Sequence, residues 1–414
     1  MKNFIKKYNE TNLIIRIIIG LIVGAILGSI VMNAGIDSSI AHVLSPIKLF
    51  GTLFVGALKA IAPILVFFLV VAAIAAHKEG KKTNMGEIVR LYLFATFIGA
   101  VVAVSASFIS PVTLTLQVDQ ATQAAPTSVF EVLGNLITSI VANPVDALMN
   151  ANYLSLIFWG ILLGTALRQC KEATRQVFMD IADCMQYIVK FIIAFAPIGI
   201  MGLLFTTLSE NDFSVLAQYS HILVVLLFCF GFMALIFNPL ITWIYTRENP
   251  YPLVFKVLVE SGMNAFFTRS SAANIPVNLD LCKRMDVDPD AYNVSIPLGA
   301  TVNMSGAAIT ITLLTLAGAN TLGIEVGFTQ AIILSVVAAL SACGAGGVAG
   351  GSLLLIPLAC SLFNIDQDIA FQIVGVGFII GVIQDSCETG LNSCSDALYT
   401  IIVDRKAKRL AAKK

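Results

Sequence analysis

The sequence predicts an all-α polytopic membrane protein: eight transmembrane helices plus two re-entrant helical hairpins. Three observations carry this prediction. Of 414 residues, 57% are apolar and 12% charged, and the mean hydropathy is +0.88, values far from those of a soluble domain. Apolar stretches of about 20 residues, enough to cross ~30 Å of hydrocarbon at 1.5 Å per residue, recur along the chain. The formal net charge is zero, yet the Lys and Arg residues that set membrane orientation fall in separate clusters.

The predicted spans cover residues 12–31, 47–76, 88–110, 145–168, 185–208, 219–245, 292–318 and 369–400. The first follows the basic start "MKNFIKKYNE", but it is longer than the apolar core of a secretory signal and lacks a small-residue cleavage site, so it is expected to be retained. The eight cysteines are scattered, with no CxxC pair and no His at metal-ligand spacing, and read as small packing residues.

The positive clusters are Lys2, Lys6 and Lys7, the loop 77–82, the loop 168–175, Arg247 with Lys256, the pair Lys283 and Arg284, and the tail from Arg405. Positive-free tracts lie at 91–167, 191–246 and 285–404. Eight crossings with both termini inside place every cluster in the cytoplasm, and they place the loops 111–127, 209–214 and 320–328 outside. Residues 401–414 form a basic cytoplasmic tail.

Two apolar segments remain, 253–280 and 330–363, broken at their middles by "TRSSAANIP" and "ACGAGGVAGGS". Glycine costs roughly 1 kcal/mol inside a helix, so Gly344, Gly346, Gly347, Gly350 and Gly351 argue against a continuous span. Non-helical backbone at membrane depth survives only against protein or a water-filled cavity. Each segment is therefore expected to be a hairpin, the first entering from the cytoplasm and the second from outside. Hairpin followed by polar span, repeated with inverted orientation, is how secondary transporters build a midplane site.

In the first polar span, "GATVNMSGAA" at 299–308 interrupts the apolar pattern at Asn303. Opened backbone would present carbonyl oxygens that suit a hard alkali cation, although Gly and Asn also serve as packing residues between membrane helices. In the second, Asp385, Glu388, Thr389, Asn392 and Asp396 fall on one helical stripe. A charge at mid-membrane costs about 2.5–3.5 kcal/mol on insertion scales, and such groups mark ion or substrate paths. The nearest candidate protein cation is Arg269 at the first hairpin tip, so metal cations, protons or a substrate ammonium must supply further compensation. An intramembrane aspartyl hydrolase is excluded, because Asp385 and Asp396 lie about 16 Å apart along one helix.

The runs "AFFTRSSAANIP", "SIPLGATVNMSGAA" and "DSCETGLNSCSD", with "ANPVDALMNANYLSLIFWGILLG" at 142–164, resemble the dicarboxylate/amino acid:cation symporters, the glutamate transporter family, over essentially the whole chain. Within it they are most similar to bacterial sodium-coupled serine/threonine carriers. The resemblance implies that Asp385 holds the substrate ammonium, and that Asn392, Thr389, Ser270 and Ser271 help bind its carboxylate. It implies one sodium site at Asp396 with carbonyls near Gly299, Asn303 and Asn392. A second would lie between Thr301, Met304 and the hairpin carbonyls near Ala342, Cys343 and Ala345. It also implies an elevator: a scaffold of 12–76 and 145–208, and a mobile part of 88–110 and 219–400 with both hairpins. Three subunits would meet at the scaffold, in the bacterial inner membrane.

Two departures from the family pattern matter. Glu388 stands where carriers of acidic amino acids place an arginine; this glutamate would repel an anionic side chain and accept a hydroxyl hydrogen instead. This favours serine, threonine or another small neutral amino acid over glutamate, aspartate or a dicarboxylate. With Arg269 the nearest cation, an Arg269–Glu388 pair is expected. Ser305 removes a carboxylate and Ala307 a hydroxyl, which leaves Tyr92, Thr96 and Ser305 at most a partial third sodium site and predicts fewer coupled sodium ions than in the glutamate carriers. An ion channel is the alternative from another class; two occluding hairpins suit alternating access better.

Overall fold

The computed structural model describes residues 13–35, 37–75, 84–116, 138, 140–211, 213–345 and 349–412. Lys2, Lys6, Lys7, the loop 77–82, residues 117–127 of the predicted outer loop, Gly346 and Gly347 lie outside the described residues. Those described contain helices and connections and no strand.

The chain opens with α1 (Leu13–Ala34), the short α2 (Ser39–Leu44), α3 (Ile47–Ala75) and α4 (Met85–Ile109). Next come α5 (Pro144–Met149), α6 (Tyr153–Leu167), α7 (Glu172–Ala194) and α8 (Ala196–Glu210). Helix α9 runs Ser214–Thr246. The first hairpin is α10, residues 251–268, followed by α11 (Ser271–Arg284). After α12 (Pro289–Val302) and α13 (Ser305–Thr321) comes the second hairpin, α14 (Phe328–Ala342) and α15 (Ser352–Ser361), and then α16 (Gln367–Ala411).

Among the described residues, six helices are long and apolar enough to cross a membrane: Leu13–Ala34, Ser39–Ala72, Met85–Ile109, Ser214–Thr246, Pro289–Thr321 and Gln367–Ala411. The chain is a multi-pass membrane protein. Two predicted spans take a different form. The span expected at 145–168 is divided, because Asn143 and Asn152 each turn a side-chain oxygen onto backbone N–H groups and start a new helix. This leaves α6 with 15 residues, about 22 Å at 1.5 Å per residue. The span expected at 185–208 begins earlier, at Glu172, and bends by 55° between α7 and α8. Pro197 explains the bend, since it lacks an N–H and its ring crowds the carbonyl four residues back.

Backbone proximity fixes α1 on α8. A Cβ on Gly20, Gly24 or Gly28 would lie 2.1 Å from the Pro197 carbonyl oxygen, 2.5 Å from that of Met201 and 2.9 Å from Leu208 Cβ, so the four-residue glycine period lets two helices touch where side chains would separate them. The helices run parallel, and the outward face of α1, with Ile15, Ile19, Ile22 and Ile26, is exposed. Helix α3 packs on α6, α7 and α8, while α4 packs on α13 and α14. Helix α16 is enclosed by α9, both hairpins, α12 and α13.

Polar contacts sort the connections between two ends. At one end Glu87 meets Lys406, Glu260 meets Arg284 at 2.5 Å, Asp286 meets Lys408 at 3.1 Å, and Arg409 donates to the Thr246 carbonyl at 2.6 Å. At the other, Lys48 pairs with Glu210 at 2.6 Å, Leu114 N–H donates to Thr321, and Gln367 donates to the carbonyls of Asn150 and Ala151. The base of the first hairpin thus lies at the end that gathers the positive residues after Thr246. The second hairpin follows Thr321 and precedes Gln367, and so dips from the opposite end.

Replacement of Gly24 by Val pushes a branched side chain into the Met201 carbonyl. Overpacking costs ~1–3 kcal/mol or more, so this variant is expected to unfold at lower temperature in detergent. Gly56→Ala, where an added Cβ meets nothing within 4 Å, should be neutral or stabilising in the same scan.

Candidate functional site

Helix α16 carries the acidic stripe through the interior without interruption. Asp385, Glu388, Asn392 and Asp396 are at most 5% exposed, and Thr389 is 7% exposed. Broken backbone is brought to this helix from three sides. Arg269 ends α10 with φ +53, Asn303 and Met304 separate α12 from α13 with non-helical dihedrals, and Gly350 turns the second hairpin with φ +70, a value that favours glycine.

The first cluster centres on Asp385. Arg269 Nε donates to its Oδ2 at 2.6 Å, and the backbone N–H of Gly350 donates to Oδ1 at 3.1 Å. One carboxylate therefore receives the tips of both hairpins. The expected Arg269–Glu388 pair is corrected here, since the guanidinium pairs with Asp385 instead. The reason is the set of donors around Glu388: Gln384 Nε2 at 2.6 Å, Thr310 Oγ1 at 2.7 Å and Ser352 Oγ at 2.9 Å stabilise it through neutral groups. Among the described residues no Lys or Arg pairs with it. Of the remaining predicted substrate groups, Ser270 caps α11 by accepting from Ala273 N–H, and Ser271 is buried beside it.

The second cluster, at Asp396, lies about three turns along α16. Asn303 Nδ2 donates to Asp396 Oδ1 at 2.9 Å, to Ser395 Oγ at 2.7 Å and to the Asn392 carbonyl at 3.2 Å. Its Oδ1 is buried with no hydrogen-bond partner. An orphaned buried acceptor costs about 1–3 kcal/mol, and a hard cation beside it would offset that. Gly299 lies against the same group, as a Cβ there would sit 2.7 Å from Asp396 Oδ1 and 3.0 Å from Tyr92 Oη. Asn392 bridges the two clusters: its Oδ1 accepts from Gly306 N–H at 2.7 Å and its Nδ2 makes only a weak contact with Met304 Sδ.

Around the other predicted ligands, Cys343 Sγ reaches the Val302 carbonyl at 3.4 Å, which brings the end of α14 to the break beside Thr301 and Met304. Thr301 donates to the Leu298 carbonyl, and the Ala342 carbonyl accepts from Ala345 N–H. Thr96 Oγ1 accepts from Met304 N–H at 3.1 Å and donates to the Tyr92 carbonyl, while Tyr92 Oη reaches the Ser295 carbonyl on α12 at 3.3 Å and lies 3.0 Å from Thr400 Oγ1 on α16. Both hydroxyls thus hold α4 on the broken span. Ser305 Oγ is buried without a partner.

The model of the sodium:dicarboxylate symporter family matches residues 13–406. The chain belongs to this family. Curated relatives that cover the chain almost end to end include the serine/threonine transporter SstT of Streptococcus agalactiae serotype III, 52% identical over 406 residues, with 98% of this chain and 98% of that protein covered. The protein of the same name from serotype Ia matches with the same identity and coverage. Membership in the symporter family assigns the chain the glutamate-transporter-like fold and makes it a transporter, not an enzyme.

Asn274 is expected from the sequence to bond freed backbone, and its amide reaches the Ser261 carbonyl at 3.3 Å; the partners Asn278 and Ser393 were missed. Asn274 donates to Ser261 Oγ and Ser393 Oγ, both at 2.8 Å, and Asn278 donates to the Ser393 carbonyl at 2.9 Å, fastening the first hairpin to α16. Their signal was present, since Asn274, Asn278 and Ser393 are polar residues in apolar surroundings, but pairing across 115 or more residues cannot be read from local pattern.

Removing Arg269 leaves Asp385 as a buried charge with a single backbone donor. Breaking a buried ion pair costs roughly 3–5 kcal/mol, so Arg269→Ala should lower the unfolding temperature substantially. Arg269→Ala combined with Asp385→Asn should recover much of the loss, as a double-mutant cycle by thermal unfolding would register.

Proposed function

We propose that the protein is a sodium-coupled symporter that imports serine and threonine by alternating access. The observation that carries this reading is the 52% identity, over 98% of both chains, to proteins named serine/threonine transporters. An acid at position 388, surrounded by neutral donors, supports it: an anionic substrate side chain would be repelled there, and a hydroxyl can donate.

In this reading Asp385 receives the substrate ammonium. Its two oxygens offer about four lone-pair sites, and two are engaged by Arg269 and Gly350. Asn392, Thr389, Ser270 and Ser271 take the substrate carboxylate. One co-transported sodium is held by Asp396, Asn303 Oδ1 and carbonyls near Gly299 and Asn392. The second lies between Thr301, Met304 and the carbonyls near Ala342, Cys343 and Ala345. Tyr92, Thr96 and Ser305 form at most part of a third site, so fewer sodium ions are coupled than in the glutamate carriers. Ions and zwitterion each offset part of the acidic stripe, so binding one favours the other.

Residues 12–76 and 145–208 act as scaffold, and 88–110 with 219–400 as the mobile part that carries both hairpins in an elevator movement, in a homotrimer joined through the scaffolds. The protein resides in the bacterial inner membrane with both termini cytoplasmic, consistent with the basic residues gathered at the end where α16 finishes.

Uptake of labelled serine into proteoliposomes, competed with a panel of amino acids, tests the reading. Serine and threonine should compete best, aspartate and glutamate should not, and replacing sodium by choline should abolish uptake. Dependence on a proton gradient alone would refute sodium coupling. Asp396→Asn should raise the sodium concentration for half-maximal uptake by about 10-fold or more, the usual scale for loss of a metal-site group. Glu388→Arg should weaken serine uptake; unchanged uptake would refute the selectivity argument.

A further inference from the structure

The donors on Glu388 are divided unevenly between its two oxygens. Gln384 Nε2, Thr310 Oγ1 and Ser352 Oγ all converge on Oε2, at 2.6, 2.7 and 2.9 Å. Among the described residues, none donates to Oε1. The three come from three elements: Gln384 lies one turn back on α16, Thr310 on α13 and Ser352 at the start of α15. All three side chains are buried.

The proton directions are fixed by the network. Gln384 Nε2 also donates to Thr310 Oγ1 at 2.8 Å, so that hydroxyl accepts from Gln384 and commits its own proton to Glu388. The stem of Glu388 lies against Gly306, where an added Cβ would be 3.0 Å from Glu388 Cγ. The carboxylate is thus confined at its stem and held at one oxygen. A buried acid in need of compensation alone is best served by donors spread over both oxygens. Among the described residues, the acceptor capacity of Oε1 is kept whole.

We propose that Thr310, Ser352 and Gln384 are positioning residues that hold Glu388 by Oε2 and reserve Oε1 as the acceptor for the hydroxyl hydrogen of a serine or threonine substrate. The chain thereby distinguishes hydroxyl amino acids from alanine. This rests on the serine/threonine reading above. Ser352 belongs to the second hairpin, as does Gly350 on Asp385, so the alignment is complete only with that hairpin seated. A site built to bond a hydroxyl disfavours the analogue without one, because its buried acceptor is then left unpaired.

The experiment compares wild type with Thr310→Val, Thr310→Ser and Ser352→Ala in proteoliposomes under one sodium gradient, reading Vmax/KM for labelled serine and labelled alanine. The serine-to-alanine ratio should fall at least about fivefold in Thr310→Val and Ser352→Ala, the scale of one hydrogen bond, chiefly through KM for serine. Thr310→Ser should restore it. For a variant too slow to assay, the shift in unfolding temperature produced by serine relative to alanine reads the same discrimination on purified protein. An unmoved ratio in both variants, with wild type taking up serine, overturns the proposal and leaves the serine/threonine reading intact. Absence of serine uptake by wild type overturns both.

Discussion

Two buried carboxylates one turn apart, Asp385 and Glu388, set the conditions that the surrounding structure meets. Both are buried and their own helix offers them no free N–H, so apart from the Gln384 amide every compensating donor comes from another element. The fold divides the task by charge. Asp385 takes the cation Arg269 and one backbone N–H, while Glu388 takes two hydroxyls and an amide. Donors of this kind require interrupted backbone and polar side chains at membrane depth, which explains why three broken elements meet along α16. The breaks are tolerated because protein encloses them.

The rest of the molecule provides the enclosure. Buried amides fasten the first hairpin to α16, Tyr92 and Thr96 fasten α4 to the broken span, and Tyr399 donates to Asn238 on α9 at 2.6 Å. The union of α1 and α8 uses a different principle, with glycine against carbonyl in place of hydrogen-bonded side chains. Polar attachment near the stripe and close backbone packing away from it reflect what each region must satisfy.

Much of this was legible in the sequence because each signal was local. Hydropathy marked the long helices, glycine and serine runs marked the hairpin tips, and a period-3.6 stripe marked the polar face of α16. Asn303 was legible as a break because an amide between glycines is costly in an apolar helix. What escaped had nonlocal causes. Asn152 reads as one polar residue within a span, yet its side chain starts a new helix. Pro197 sits within an apolar run, and only the packing of α8 on α1 shows why the bend is kept. The partner of Arg269 was misread because proximity was judged by charge alone, whereas Gln384, Thr310 and Ser352 already satisfy Glu388 without a cation.

The shared carboxylate of Asp385 has one more effect. Arg269 and Gly350 belong to hairpins that dip from opposite ends, and both draw on the same delocalised charge. The two hairpins are therefore tied to each other through a side chain that belongs to neither, and neither tip can leave without exposing a buried charge to the loss of one of its two donors.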